Sequence, residues 1–174
     1  MNFIDTHQKI FIAGHNGMVG RAILRTLRKN NYTNLLCPKR EELDLTNTNQ
    51  VEKWFKKNKP EIVILAAAKV GGILANNKYP TDFLLDNLKI QTNIIENSWK
   101  NKTKRLLFLG SSCIYPKETK QPIKEEYLLE SQLESTNQWY ALAKIAGLKL
   151  CEALRLQHNF DAISLMPTNL YGPG

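Results

Sequence analysis

Three short constellations in the 174-residue chain have residue types and spacings suited to chemistry. The first is Gly14-His15-Asn16-Gly17-Met18-Val19-Gly20, a G-x-x-G-x-x-G pattern. Glycines at a strand-to-helix junction let a pyrophosphate approach the backbone, and the helix that follows offers free N–H groups and the positive end of its dipole. The second is Tyr140-Ala141-Leu142-Ala143-Lys144. Side chains four apart share one helix face, and an ammonium beside a phenol is expected to lower its pKa from about 10. Tyr140 could then exchange a proton near neutral pH. The third is Gly110-Ser111-Ser112-Cys113, which sets hydroxyls and a thiol at the end of an apolar run. Tyr-x-x-x-Lys alone is common and carries weight only when joined to the other two.

About twenty residues beyond a glycine loop, the second strand of a dinucleotide fold ends in an acidic residue for the ribose of NAD or a basic one for the 2′-phosphate of NADP. Here the sequence reads Pro38-Lys39-Arg40-Glu41-Glu42-Leu43-Asp44. The planar fork of Arg40 favours NADP. Glu41 and Glu42 keep NAD open, and a solvated charge cluster is the plain alternative.

These residues need elements to hold them. Lys9 to Ala13 reads as a buried strand, and Val19, Ala22, Ile23 and Leu27 recur at helical spacing behind it. Leu35 to Cys37 is a weak strand stopped by Pro38. Asn49 to Asn58 is a helix with Val51, Trp54 and Phe55 inward, and Glu61 to Ala67 is another strand. Pro80 to Lys100 is a long helix with Leu84, Leu88, Ile95 and Trp99 inward and Pro80 in its first turn. Arg105 to Leu109 is the fourth strand, and Lys117 to Glu134 is a long loop or a pair of short turns. Gln138 to Gln157 is a helix with Trp139, Ala143, Ala146, Leu150 and Leu154 inward, and Ala162 to Met166 is the fifth strand. Such alternation predicts an α/β fold, a parallel sheet with helices on both faces, and ligands beyond the carboxyl ends of its strands.

Composition narrows the class. The chain is 43% hydrophobic and 23% charged, the make-up of one globular domain. No run approaches the roughly 20 apolar residues of a membrane helix. Asp5 and His7 fall where a signal peptide would have its apolar core, so a soluble, untargeted protein is expected. Cys37, Cys113 and Cys151 form no C-x-x-C pair, so neither a disulfide framework nor a structural metal site is indicated, and a reducing cytoplasm is the expected setting. The net charge of +8 is spread over short clusters, Lys53, Lys56, Lys57 and Lys59 and then Lys100, Lys102, Lys104 and Arg105, at helix ends and turns. The aromatics among them, Trp54 and Phe55, belong to the inward face of their helix rather than to a basic surface, which argues against nucleic acid.

Taken together, these motifs resemble the extended short-chain dehydrogenase/reductase superfamily. FIAGHNGMVG, LAAAKVGGILANN, FLGSSCIYP, YALAKIAGLKLCE and MPTNLYGP narrow the resemblance to the GDP-L-fucose synthase family, the NADP-dependent GDP-4-keto-6-deoxy-mannose epimerase/reductases, over Lys9 to Pro173. The resemblance implies a Rossmann-type doubly wound parallel sheet, residues 1–174 forming one NADP-binding domain, a GDP-sugar substrate and a homodimer built through Pro80 to Lys100 and Gln138 to Gln157. It assigns Tyr140 as the acid at the C4 oxygen and Lys144 as its electrostatic partner and a nicotinamide-ribose ligand. Ser111 would hydrogen-bond the same oxygen, and Cys113 would be the epimerisation base, whose thiol reaches the thiolate at modest cost.

For NADP(H), Gly14 to Gly20 would form the pyrophosphate loop, with Asn16 where many members have a basic residue. Arg40 would then bear more of the 2′-phosphate, and Asp44 and Leu45 would flank adenine. Ala66, Ala67 and Ala68 would leave room for the cofactor. Leu109, Gly110, Ser111 and Ser112 would line the nicotinamide side, as would Pro167, Thr168, Asn169 and Leu170. Cys37 and Cys151 read as buried thiols. The family continues past the equivalent of Gly174 with a further strand, a histidine acid for epimerisation and a small GDP-clasping domain. None of His7, His15 and His158 lies there, so the 174-residue chain alone is expected to bind cofactor weakly with little turnover. The alternatives are another nucleotide-sugar epimerase or dehydratase, or a non-catalytic NADP-binding module.

Overall fold

The computed structural model describes residues 4–173. Its elements follow in chain order: β1 (Ile10–Ala13), α1 (Met18–Lys29), β2 (Leu35–Leu36), α2 (Thr48–Asn58), β3 (Ile62–Leu65), α3 (Ile73–Lys78), α4 (Pro80–Lys100), β4 (Arg105–Leu109), α5 (Gln138–His158) and β5 (Ala162–Leu165). The five strands form one parallel sheet in the order β2-β1-β3-β4-β5.

That order fixes which face each helix covers. From β1 the chain steps one way to β2, and every later crossover steps the other way. Right-handed crossovers therefore put α1 on one face and α2, α4 and α5 on the opposite one. Packing agrees: Phe11, Ala13, Val63, Leu65, Leu106 and Phe108 point into a core with Val51, Phe55, Ile94, Ile95, Cys151 and Leu154. Ile10, Ile12, Ile62 and Ile64 point the other way, against Ile23, Leu24 and Leu27 of α1. Alternate strand residues thus serve both cores. The larger core holds an aromatic knot in which Phe11 lies 4.4 Å from Trp54 and 5.8 Å from Phe55 between centroids.

Local signals set the helix ends. Asn47 caps α2 by accepting from Gln50 N at 3.1 Å, and Lys59 ends it in the left-handed conformation just before Pro60. Pro80 opens α4 where its missing N–H costs nothing. Asn159 closes α5 in the left-handed region. The cation clusters sit where turns and helix ends place them, with Lys56, Lys100 and Lys104 paired to Glu52, Glu96 and Glu61. Among the described residues, no helix is long and apolar enough to cross a membrane.

Three expectations change. The helix α3 is one that no periodicity in the sequence predicts. Trp139 is 37% exposed and Ala146 faces solvent, so neither points inward; Ala141, Ala143, Lys144, Ile145 and Gly147 form the buried face instead. The sequence of α5 is apolar on both sides, and only the packing against α4 and β4 selects the phase. Cys151 is buried as expected, whereas Cys37 is half-exposed.

Candidate active site

The sheet changes direction at β1, and the crevice beyond its carboxyl end is where this topology opens. An open cleft of about 590 Å³ lies there, walled by the loop after β1, by the segment from Pro38 to Thr46 after β2, by Ala66 to Val70 after β3, and by Asp86 and Ile90 of α4. Every residue from Gly14 to Gly20 lines it, as do Arg40, Asp44, Leu45, Ala66, Ala67 and Ala68. Residues from four separate stretches of sequence are thus gathered around one space.

The loop is shaped for close approach. Gly14 has φ +88°, and a Cβ there would lie 2.6 Å from Ala67 N. A Cβ on Gly20 would lie 2.1 Å from Gly14 O, so the first turn of α1 rests directly on the loop. Gly17 caps α1 with no side-chain hydrogen bond, and no acidic residue occupies the first turn. The leading N–H groups of α1 are therefore open to an anion, with no carboxylate in that turn to repel one. This arrangement fits the pyrophosphate of a dinucleotide. Burial holds His15 below its ordinary pKa, against the opposing charge of Glu42.

After β2, Asp44 Oδ1 accepts from Thr46 N at 2.9 Å and Thr46 Oγ1 at 2.8 Å, which holds its carboxyl below the usual range. Arg40 is exposed, with no ion-pair partner among the described residues. Its guanidinium is available to a ligand.

A second group gathers beyond β4. Ser111 Oγ accepts from Cys113 N at 3.4 Å in a short turn of 3-10 helix over Ser112–Ile114. Ser112 N donates to Pro167 O at 3.1 Å and Gly110 N to Leu165 O at 2.7 Å, which joins the ends of β4 and β5. A Cβ on Gly110 would lie 2.5 Å from Met166 Sδ. Thr168, Asn169 and Leu170 follow as exposed chain. None of Leu109, Gly110, Ser111, Ser112, Lys144 or Pro167 to Leu170 lines the cleft at β1, so the sequence-predicted residues fall into two neighbouring groups.

From α5, Lys144 reaches under this second group. It is 4% exposed, its Nζ donates to Leu109 O at 2.7 Å, and it lies 4.9 Å from the Phe108 ring centroid and 5.7 Å from that of Tyr140. Burial lowers its pKa to about 8, against the pull of Cys113. Tyr140 departs from expectation: burial, with charge on Cys113, pushes its phenol up to about 12. Lys144 is spent on the Leu109 carbonyl and is itself easily discharged, so desolvation wins. The Cys113 thiol is also raised by burial, with Ser111 and Lys144 opposing, so its thiolate is costlier than its residue type suggests.

Several site residues escaped the sequence. Lys69 lines the cleft and is paired with Asp82 at 2.9 Å and Asp86 at 3.0 Å. Asn87, 2% exposed, accepts from Lys69 N at 2.8 Å and donates to Lys69 O at 3.0 Å. These partners are 13 to 18 positions apart, a separation that leaves no local pattern. Pro38, Leu43, Thr46, Val70 and Ile90 complete the walls.

Comparison with known proteins gives a consistent picture. The chain is 60% identical over 97% of its length to GDP-L-fucose synthase 1 of Arabidopsis thaliana and 53% identical over 95% to GDP-L-fucose synthase of Escherichia coli (strain K12), covering 52% of each. It spans about half the length of the curated relatives it matches. Among solved structures, it superposes with TM-score 0.95 on a GDP-D-glycero-L-gluco-heptose synthase from Campylobacter jejuni in the presence of NADPH, at 44% identity over 98% of this chain and 50% of that one. A GDP-L-fucose synthetase from Naegleria fowleri bound to NADP gives TM-score 0.86 at 27% identity, over 98% of this chain and 56% of that one. The model of the NAD dependent epimerase/dehydratase family matches residues 10–174, and the chain belongs to that family.

Proposed function

We propose that the protein is an NADP-dependent epimerase/reductase converting GDP-4-keto-6-deoxy-mannose to GDP-L-fucose, and that this chain supplies its cofactor site and one wall of its sugar site. One observation carries the reading: a thiol, a serine hydroxyl, a phenol and an amine, from Cys113, Ser111, Tyr140 and Lys144, meet at the end of β4, beside a cleft shaped for a dinucleotide. The relatives named above support the substrate and the cofactor.

NADPH, when bound, supplies hydride to C4. The N–H groups of α1 and the loop from Gly14 to Gly20 hold its pyrophosphate, Arg40 meets the 2′-phosphate, and Asp44 and Leu45 flank adenine. Ala66, Ala67 and Ala68 leave room for it, and Leu109, Gly110, Ser112 and Pro167 to Leu170 border its nicotinamide end. Ser111 donates a hydrogen bond to the C4 oxygen and steadies enolate charge during epimerisation. A phenol raised to about 12 stays protonated at neutral pH, which suits Tyr140 to giving its proton to the C4 oxygen as hydride arrives. Cys113 removes the protons at C3 and C5, its thiolate made costly by burial and only partly eased by Ser111 and Lys144. Epimerisation is completed when an acid delivers a proton to the opposite face of each carbon.

A homodimer through α4 and α5 fits the exposed Leu85, Trp139 and Leu142, and a cytoplasmic setting fits the free cysteines. The deciding experiment offers GDP-4-keto-6-deoxy-mannose and NADPH to the protein at its natural length. NADPH oxidation with formation of GDP-L-fucose is expected, and no NADPH consumption overturns the proposal.

A further inference from the structure

The buried face of α4 is unlike the apolar stripe that a helix packed on a sheet normally turns inward. It buries Asn87, Gln91 and Asn93 to 2%, 4% and 5% exposure, and buried amides are costly unless partnered. Each is partnered by a backbone group that belongs to a different part of the site. Asn93 Nδ2 donates to Leu45 O at 2.9 Å, and its Oδ1 accepts from Thr48 Oγ1 at 3.0 Å. Leu45 is the adenosine wall of the cleft. Gln91 Nε2 donates to Ala143 O, one residue before Lys144. Gln91 comes this close because residue 147 is glycine: a Cβ there would lie 2.8 Å from Gln91 Oε1 and 2.6 Å from the Phe108 ring. Asn87 holds Lys69, on the wall between them, through both its N–H and its carbonyl.

The directions matter as much as the bonds. At roughly 100° per residue, positions 91 and 93 point about 200° apart around the helix. One therefore grips α5 while the other grips the segment before α2. Neither bond is needed to bury apolar surface, and an apolar side chain at either position would pack without specifying any axial register.

We propose that α4 acts as a ruler: Gln91 and Asn93 are positioning residues that hold the catalytic helix α5 and the adenosine wall at one fixed separation, that between the two ends of the dinucleotide. The inference rests on the cofactor reading above. Asn93 sets the adenosine end, Gln91 sets the nicotinamide end through α5, and loss of either should disturb its own end first.

The test uses the protein at its natural length with two volume-conserving substitutions, Asn93→Leu and Gln91→Met, and two probes: 2′,5′-ADP, which occupies only the adenosine end, and intact NADPH. A third readout is the pH midpoint of Lys144 acylation by a small amine reagent, followed at that peptide by mass spectrometry. Besides its own charge, Lys144 senses Cys113, so Cys113 is alkylated first in every sample. Asn93→Leu should weaken 2′,5′-ADP about tenfold, the scale of one or two lost hydrogen bonds, and leave the Lys144 midpoint unmoved. Gln91→Met should leave 2′,5′-ADP within about twofold of wild type, weaken NADPH, and move the Lys144 midpoint upward as α5 loosens and water reaches the amine. Parallel loss of all readouts in both variants, or wild-type behaviour in either, overturns the proposal. If Asn93→Leu does not fold, Thr48→Val removes one bond from the same amide and must weaken 2′,5′-ADP about twofold or more; unchanged binding overturns it. A wild-type protein that binds neither 2′,5′-ADP nor NADPH overturns the cofactor reading itself, whereas a wild type that binds both while its variants fail to discriminate overturns only the ruler.

Discussion

Lys144 Nζ donates to the Leu109 carbonyl at 2.7 Å, tying the second turn of α5 to the last residue of β4. That bond holds the helix so that Tyr140, one turn earlier, stands beside Cys113 and Ser111. It also occupies the ammonium in a site without a carboxylate partner, and burial leaves the amine with a pKa of about 8.

The first prediction concerns stability. Folded Lys144 titrates near 8, and the unfolded side chain near 10.5. Between those values the unfolded chain binds more protons, so this group's contribution to stability rises with pH across the window, and its penalty is fully present below it. Lys144→Met should therefore raise Tm at about pH 7 by a few degrees, with the gain shrinking as pH rises toward 10. Thermal melts of both proteins at matched pH values check this; a constant or growing gain counts against it. Taking the difference cancels the opposite trend from the raised thiol of Cys151, and making both proteins in a Cys113→Ala background removes that of Cys113, which interacts with Lys144.

Substitutions in the glycine loop should separate folding from binding. A Cβ at Gly17 would meet only Gly14 O, at 3.5 Å, whereas one at Gly20 would press into backbone at 2.1 Å. Gly17→Ala should keep Tm within a few degrees and lose about tenfold or more in NADPH affinity through crowding of the pyrophosphate. Gly20→Ala should lose about 2 kcal/mol or more of stability. Equal effects of the two on Tm would refute the distinction.

Arg40 should set cofactor choice. Arg40→Ser should weaken NADPH about tenfold or more while leaving NADH within about twofold, since only the former carries the 2′-phosphate. Titration of both cofactors decides it, and parallel weakening would place the phosphate contact elsewhere.

Cys113→Ser should abolish exchange of the C3 and C5 protons with deuterated water by about a hundredfold or more, while reduction of an already epimerised ketone persists. Equal loss of both steps would remove Cys113 from the role of base.

The exposed apolar side of α5 should mediate dimerisation. Leu142 is 39% exposed, so Leu142→Glu should leave Tm almost unchanged as a monomer and shift sedimentation from dimer to monomer. A wild-type protein that sediments as a monomer would contradict the dimer reading.

Much of the fold was legible because its signals are local. The burial of β1 and β3, the stop at Pro38, the start of α4 at Pro80 and the Gly14 to Gly20 loop each depend on residues within a few positions of one another. The same holds for Tyr140 and Lys144, whose spacing sets them on one helix face. By contrast, α3 is six residues long, with Ile73 and Leu74 exposed, too short to show a period.

Sequence by itself determined which residue types stand at the strand ends and how each helix begins and stops, since spacing and backbone preference act over a turn or two. Only the tertiary structure decided what those residues experience. Packing against Phe108 and Gln91 chose the buried side of α5, turning Trp139 and Ala146 outward. Burial raised the Tyr140 phenol, with the charge of Cys113 adding to it, where the Tyr-x-x-x-Lys spacing predicts a lowering. Long-range pairs such as Lys69 with Asp86, or Asn93 with Leu45, exist because the sheet brings distant segments to one crevice. Desolvation and contact depend on neighbours in space, and those neighbours are absent from any local window of the chain.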